Sequence, residues 1–236
     1  MMHKAKLKDP KYRFIMLGVL VFFCLSVVVC TSQAKADTIT LSPIIDTFVY
    51  NKAPDNSYGN NTNLMIQGII SRDYRCRTFL KFDLGAIPDG SVVTSAELKM
   101  YCWSCTDSCD IEAYHVANDS LIQNSMTWNS QPSAGLTYLD QAPFYYNQWT
   151  SWNLLASGDW NYANDLDDNF FSVKLALYSE SSQNTTAYFY SSEDIHWSYR
   201  PYLEIEYAPI PIPGAVWLFG SGLIGLVAIR KRKNLA

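Results

Sequence analysis

The chain has 236 residues, 17% of them charged and 14% aromatic, with a formal net charge of −4. The charge is unevenly spread: residues 37–209 hold eight Lys and Arg against 21 Asp and Glu, a balance of −13, and the other ten basic residues lie towards the two ends. A body that acidic excludes nucleic acid and anionic lipid surfaces as partners.

At the start, Lys4, Lys6, Lys8, Lys11 and Arg13 precede an apolar run over residues 14–30, followed by Ala34-Lys35-Ala36. This order of basic region, apolar core and small-residue cleavage site predicts a secretory signal over residues 1–36, handled by Sec-type export machinery, with Ala34 and Ala36 as the small residues of the cleavage site. An uncleaved anchor is the alternative; Val29 before Cys30 argues against a lipoprotein.

Residues 37–209 are one domain's worth of chain and read as strands almost throughout. In "TFLKFDL", Leu80, Phe82 and Leu84 alternate with Phe79, Lys81 and Asp83; in "SAELKMYCW", Ala96, Leu98, Met100 and Cys102 alternate with Glu97, Lys99, Tyr101 and Trp103. "FSVKLALYS" and "YLEIEY" set Val173, Leu175, Leu177, Leu203, Ile205 and Tyr207 against polar neighbours. Period-two alternation with one wet face predicts antiparallel sheets. Turn clusters at "APDNSYGNNTN", "IPDGS" and "SSQNTT" separate the strands, and a helical turn is expected only around "SWNLLASGDW". The expected fold is all-β: a two-sheet antiparallel sandwich of jelly-roll type, flanked by an N-terminal signal helix and a C-terminal transmembrane helix.

Within this body, "SRDYRCRTFLK" puts Arg75, Arg77 and Lys81 on one side of a strand, with Arg72 just before it. The stripe reads either as a solvated face balanced by Asp73 and Asp83 or as a groove for an anionic polysaccharide, whose carboxylates suit Arg and Lys. Tyr101 and Trp103 face outward on their strand, where flat rings could stack on sugar rings; Tyr145, Tyr146, Trp149 and Trp152 cluster in or near a loop, and Trp128 reads as a structural wedge. Four body cysteines fit an oxidising compartment. Side-chain parity pairs Cys76 with Cys102 and leaves Cys105 to bridge Cys109; a thiolate zinc site is the competing reading of C-x2-C-x3-C. The "NDLDDN" stretch offers Asp165, Asp167 and Asp168 as oxygen ligands for a structural calcium, or is simply an acidic turn; no cofactor is required. Only His115 and His196 lie in the body, outside any nucleophile or metal motif, so no enzyme is expected and a lyase or hydrolase is the remote alternative.

The chain ends in an apolar run over residues 215–229, about 15 residues against the roughly 20 of a comfortable span, stopped by Arg230, Lys231, Arg232 and Lys233. That predicts a membrane segment with a cytoplasmic stop. Pro211-Ile212-Pro213, then the Trp217-Leu218-Phe219-Gly220-Ser221-Gly222 core and the basic cluster, resembles a PEP-CTERM sorting signal over residues 210–236. The resemblance implies cleavage near Pro211 and Pro213 by an exosortase-type protease and delivery to the cell surface or extracellular matrix.

The body has a resemblance of its own. Asp46-Thr47-Phe48-Val49, Asn56-Ser57-Tyr58-Gly59, Arg77-Thr78-Phe79-Leu80-Lys81-Phe82-Asp83-Leu84, Met126-Thr127-Trp128-Asn129 and Arg200-Pro201-Tyr202-Leu203-Glu204-Ile205 follow one another as in the DNRLRE, or disaggregatase-related, domain. It implies a non-catalytic, carbohydrate-binding β-sandwich, here without an enzymatic partner domain, whose partner is an extracellular polysaccharide. A matrix or adhesion protein that recognises no particular glycan is the alternative from another class.

Overall fold

The computed structural model describes residues 35–117, 121, 123–132, 136–180 and 184–208. Both terminal signals, with Ala34, Pro211, Pro213, Trp217, Gly220, Gly222, residues 230–233 and the expected membrane segment, lie outside the described residues.

The described chain is all-β and antiparallel. Eleven strands follow in order: β1 Asp37–Leu41, β2 Ile45–Tyr50, β3 Asn63–Ile69, β4 Tyr74–Asp83, β5 Val92–Cys105 and β6 Asp110–Val116. Then come β7 Leu136–Pro143, β8 Gln148–Asn153, β9 Phe170–Leu177, β10 Asn184–Tyr190 and β11 Tyr202–Ala208. They join in the order β1-β11-β5-β10-β3-β4-β9-β6-β7, with β2 paired to β4 and β8 to β5. Where two sheets were expected, one continuous sheet curls into a sandwich-like form.

The join is β4. Residues 74–76 pair with β3 and residues 78–83 pair with β9, while β2 runs along residues 76–81. At the changeover the Thr78 hydroxyl donates to the Met65 carbonyl at 3.1 Å, meeting an acceptor as the two neighbours part.

Alternation places the core as read from the sequence. Leu64, Ile66, Leu98, Met100, Phe189, Leu203 and Ile205 from one limb meet Leu80, Phe82, Ile111, Ala113, Val173 and Leu175 from the other. Each Val, Leu, Ile, Met or Phe among them contributes about 1.5–3 kcal/mol when fully buried. Trp152 lies in this core, its indole N–H donating to the Ile111 carbonyl at 2.8 Å.

Two expectations are corrected. The outward side of β4 is not wet: Phe79 is fully buried in a second apolar cluster with Val49, Val116, Leu121 and Met126, because β2 and the segment after β6 cover it. The helical turn is also displaced. Residues 148–153 are strand β8, and the helix, α1, spans Tyr162–Asp168, ending at Asn169 in the left-handed conformation (φ 66°).

Candidate functional site

The long strand β5 keeps a wet outer face because its cross-strand neighbours there carry rings and charges rather than a covering loop. Its register sets Tyr101 opposite Trp149 of β8, and Lys99 opposite Ser151 of β8 and Tyr202 of β11. On β10, Tyr188 pairs with Ser104, and Tyr188 and Tyr190 alternate with the inward Ala187 and Phe189. A 3-10 turn over Trp197–Tyr199 brings in the last ring.

Tyr101 is the hub. Its ring lies 4.3 Å from that of Tyr199, 5.4 Å edge-on from Trp149 and 6.1 Å from Tyr190. Tyr190 and Tyr199 stack at 5.6 Å, Trp103 adjoins Tyr188 at 5.6 Å, and Trp149 meets Tyr202 at 5.4 Å. Such offset and edge contacts hold rings in place beyond simple area burial. The Tyr101 hydroxyl donates to the Asn147 side-chain oxygen at 2.9 Å. Its pKa is raised, first by partial desolvation and then by the Tyr199 and Tyr190 phenols, so the ring stays neutral.

Exposure is graded across this face. Trp149 is 41% exposed and Tyr199 37%, while Tyr101, Trp103, Tyr188, Tyr190 and Tyr202 are half-buried beneath and beside them. The polar rim includes Lys99, bound to Glu204 at 2.9 Å and Glu97 at 3.2 Å, with His196 against Tyr190. The face therefore offers fixed ring surfaces for apolar C–H faces, and amide, carboxylate, ammonium and imidazole groups for hydroxyls.

Residues 37–156 match the family described as Carbohydrate-binding module family 96. The chain belongs to that family. No curated protein matches the chain. The family 96 match spans β1 to β8 and so covers Tyr101, Trp103 and Trp149; Tyr188, Tyr190, Tyr199 and Tyr202 lie after it in the sequence.

Among the residues singled out by sequence, Tyr101 and Trp103 thus come together on the family 96 module, and Trp149 joins them. The cationic residues do not form an open stripe. Arg72 is exposed on a 3-10 turn against Tyr74, and Arg75 is turned onto Asp73, which Lys52 also binds at 2.9 Å. Arg77 grips both oxygens of Glu180 at 2.7 Å and lies 4.5 Å over the ring of Trp128, the expected wedge. Lys81 is 8% exposed, its ammonium 3.9 Å over Phe170.

The expected metal set is dispersed. Asp165 faces inward, accepting from the Trp160 indole at 2.6 Å and lying 3.1 Å from His115 Nε2. Asp167 and Asp168 stay exposed on α1, where Asp168 accepts from the Phe170 N–H instead. A single helical turn cannot aim all three carboxylates at one point while Asp165 anchors it to the core.

The four thiols are free. Cys76 and Cys102 are both buried, but β3 and β10 run between their strands. Three strand spacings, roughly 14 Å, are beyond the roughly 7 Å reach of a disulfide. Cys76 donates to Gln67 Oε1 at 3.8 Å, and Cys102, pushed up to about 12 by burial and then by neighbouring Cys105, donates to the Ser104 carbonyl at 3.4 Å. Cys109 donates to the Asp110 carbonyl at 3.7 Å rather than bridging Cys105.

Sequence reading missed Tyr188, Tyr190, Tyr199 and Tyr202. The alternation "AYFY" was a usable signal for the first two; the third is placed by a turn whose geometry no periodicity encodes.

Proposed function

We propose that the chain is an exported module that binds polysaccharide through the aromatic face centred on Tyr101, a DNRLRE-type sandwich of jelly-roll winding. The observation that carries this reading is the packed set Tyr101, Trp149, Tyr190 and Tyr199, fixed in position yet partly exposed. Lys99 sits between two carboxylates, so the face recognises sugars by ring stacking and hydroxyl hydrogen bonds rather than by capturing anions.

In this reading the signal at residues 1–36 directs export, and the PEP-CTERM-like segment holds the protein in the inner membrane. An exosortase-type protease then releases the module to the cell surface or exopolysaccharide matrix, where it binds and performs no bond cleavage. The test is retention of the full chain, purified in mild detergent, on a panel of immobilised neutral and uronate polysaccharides. Saturable retention that is competed by the soluble polymer and lost in Trp149→Ala supports the proposal. Retention unchanged in Trp149→Ala and Tyr199→Ala removes the aromatic face, and absence of retention on every polymer leaves a structural matrix protein.

A further inference from the structure

Beside β2, the fold sets a buried carboxylate, Asp46, against a half-buried one, Glu193, with no positive charge between them. Asp46 is 1% exposed; its Oδ2 accepts from the Ser192 N–H at 2.6 Å, while its Oδ1 is buried without any hydrogen-bond partner. Glu193 lies against it, held by the Ser191 hydroxyl at 2.8 Å and by the Gln123 amide. The Ser191 hydroxyl oxygen is also 2.8 Å from the Asn61 carbonyl oxygen, and one proton cannot serve both acceptors. The Ser192 hydroxyl also donates to Glu193 at 3.2 Å, so the acceptor left without a donor is Asp46 Oδ1. Among the described residues no basic side chain pairs with either carboxylate.

Two ionised carboxylates this close and this poorly solvated repel, and either a shared proton or a bound cation relieves them. Burial, and then Glu193, push the Asp46 carboxyl far above the usual carboxylate range. Glu193 is raised by its own burial but held below its usual value overall by hydrogen bonds with Asp46, Ser191 and Gln123. The pair thus retains one negative charge even when a proton is shared.

We propose that Asp46 and Glu193 are the charged ligands of a calcium site, with the Asn61 carbonyl and Ser191 hydroxyl as further oxygen ligands. The donor set suits a hard cation, which takes carboxylate, carbonyl and hydroxyl oxygens together. Among the described residues no three His, Cys, Asp or Glu side chains converge, so the softer donor set of a zinc site is not what this place offers. A hollow of about 440 Å³, walled by residues 57–61 and Asn124, lies on the Asn61 side of the site. The cation would tie β2 to the segment after β10, which carries His196 and Tyr199 to the aromatic face. The site stands on its own geometry and is independent of the sugar reading.

The test is calcium chloride titrated into the full chain after chelator treatment, followed by calorimetry and by thermal unfolding. One site per chain is expected, with the melting temperature rising by about 5–10 °C at a hundredfold excess over Kd. Asp46→Asn should abolish binding; because that variant sits in the core, Glu193→Gln serves as the second, with an expected loss of at least about tenfold in affinity. Magnesium chloride is the control, with a smaller shift expected. No calcium binding by the wild-type chain at millimolar concentration, which leaves a shared proton in the cation's place, overturns the proposal. Stoichiometric binding retained at full affinity in folded Asp46→Asn or Glu193→Gln does so too.

Discussion

Two outer faces of this molecule carry unlike chemistry on like scaffolds, and their difference shows how a surface becomes available to a ligand. On the β5 face, rings pack against rings, and Trp149 and Tyr199 retain open surface. On the face formed by β4, β9 and β6, a cleft of about 270 Å³ gathers Arg75, Arg77, Lys174, Glu112 and Glu180 around Tyr114. Its charges mostly answer one another: Arg77 holds Glu180 at two points and reaches Gln131 at 3.1 Å, and Tyr114 donates to Glu112 at 2.7 Å. Lys174, lying 5.1 Å over the Tyr114 ring, has its pKa lowered by burial and then by Arg77. Aromatic surface does not saturate when it packs edge to edge, whereas opposite charges do. The first face therefore keeps ring surface open to solvent, whereas the second mainly holds the sheet together.

That contrast can be broken most forcefully at Trp149. The double replacement Trp149→Ala and Tyr199→Ala should lower polysaccharide retention more than about tenfold, taking the roughly 1–3 kcal/mol of a flat base stacked on an aromatic ring as the scale of one stacking contact, with circular dichroism unchanged. Next comes Arg77→Ala, which leaves Glu180 half-buried without its partner. A loss of about 2 kcal/mol is expected, seen as a melting temperature about 4–8 °C lower, with sugar retention intact. If retention falls with Arg77 and not with Trp149, the roles of the two faces are reversed.

Smaller effects sharpen the edges. Arg75→Ala removes only an exposed pairing with Asp73, and the melting curve should superimpose on wild type. Asp167→Asn with Asp168→Asn should leave the calcium response unaltered, since both are exposed on α1 and far from forming a ligand set with the inward Asp165. A calcium response lost in this double variant and kept in Asp46→Asn would move the cation to α1.

How much of this was legible depends on what covers each strand. The alternation in β5 and β11 translated directly into inside and outside, because one side of each meets the core and the other meets water. Leu98, Met100, Leu203 and Ile205 are fully buried as read, and Glu206 is exposed. The same alternation in β4 and β9 gave the inner face correctly but misjudged the outer one. Phe79, Lys81, Ser172 and Lys174 are all covered, by elements far away in sequence that no local period announces. The cation stripe failed for that reason. The cysteines failed for another: parity tells which side a thiol faces, but strand order decides how far apart two such thiols stand. Asp46 was legible only as part of a motif, because its burial depends on Ser192 and Glu193, almost 150 residues later.

The shared strand β4 has a mechanical consequence. A polymer tugging on the Tyr101 side loads a layer whose covalent backbone continues into the opposite one, so neither layer can slide off or peel while the other stays seated. Tension is carried along a peptide chain rather than across a greasy seam.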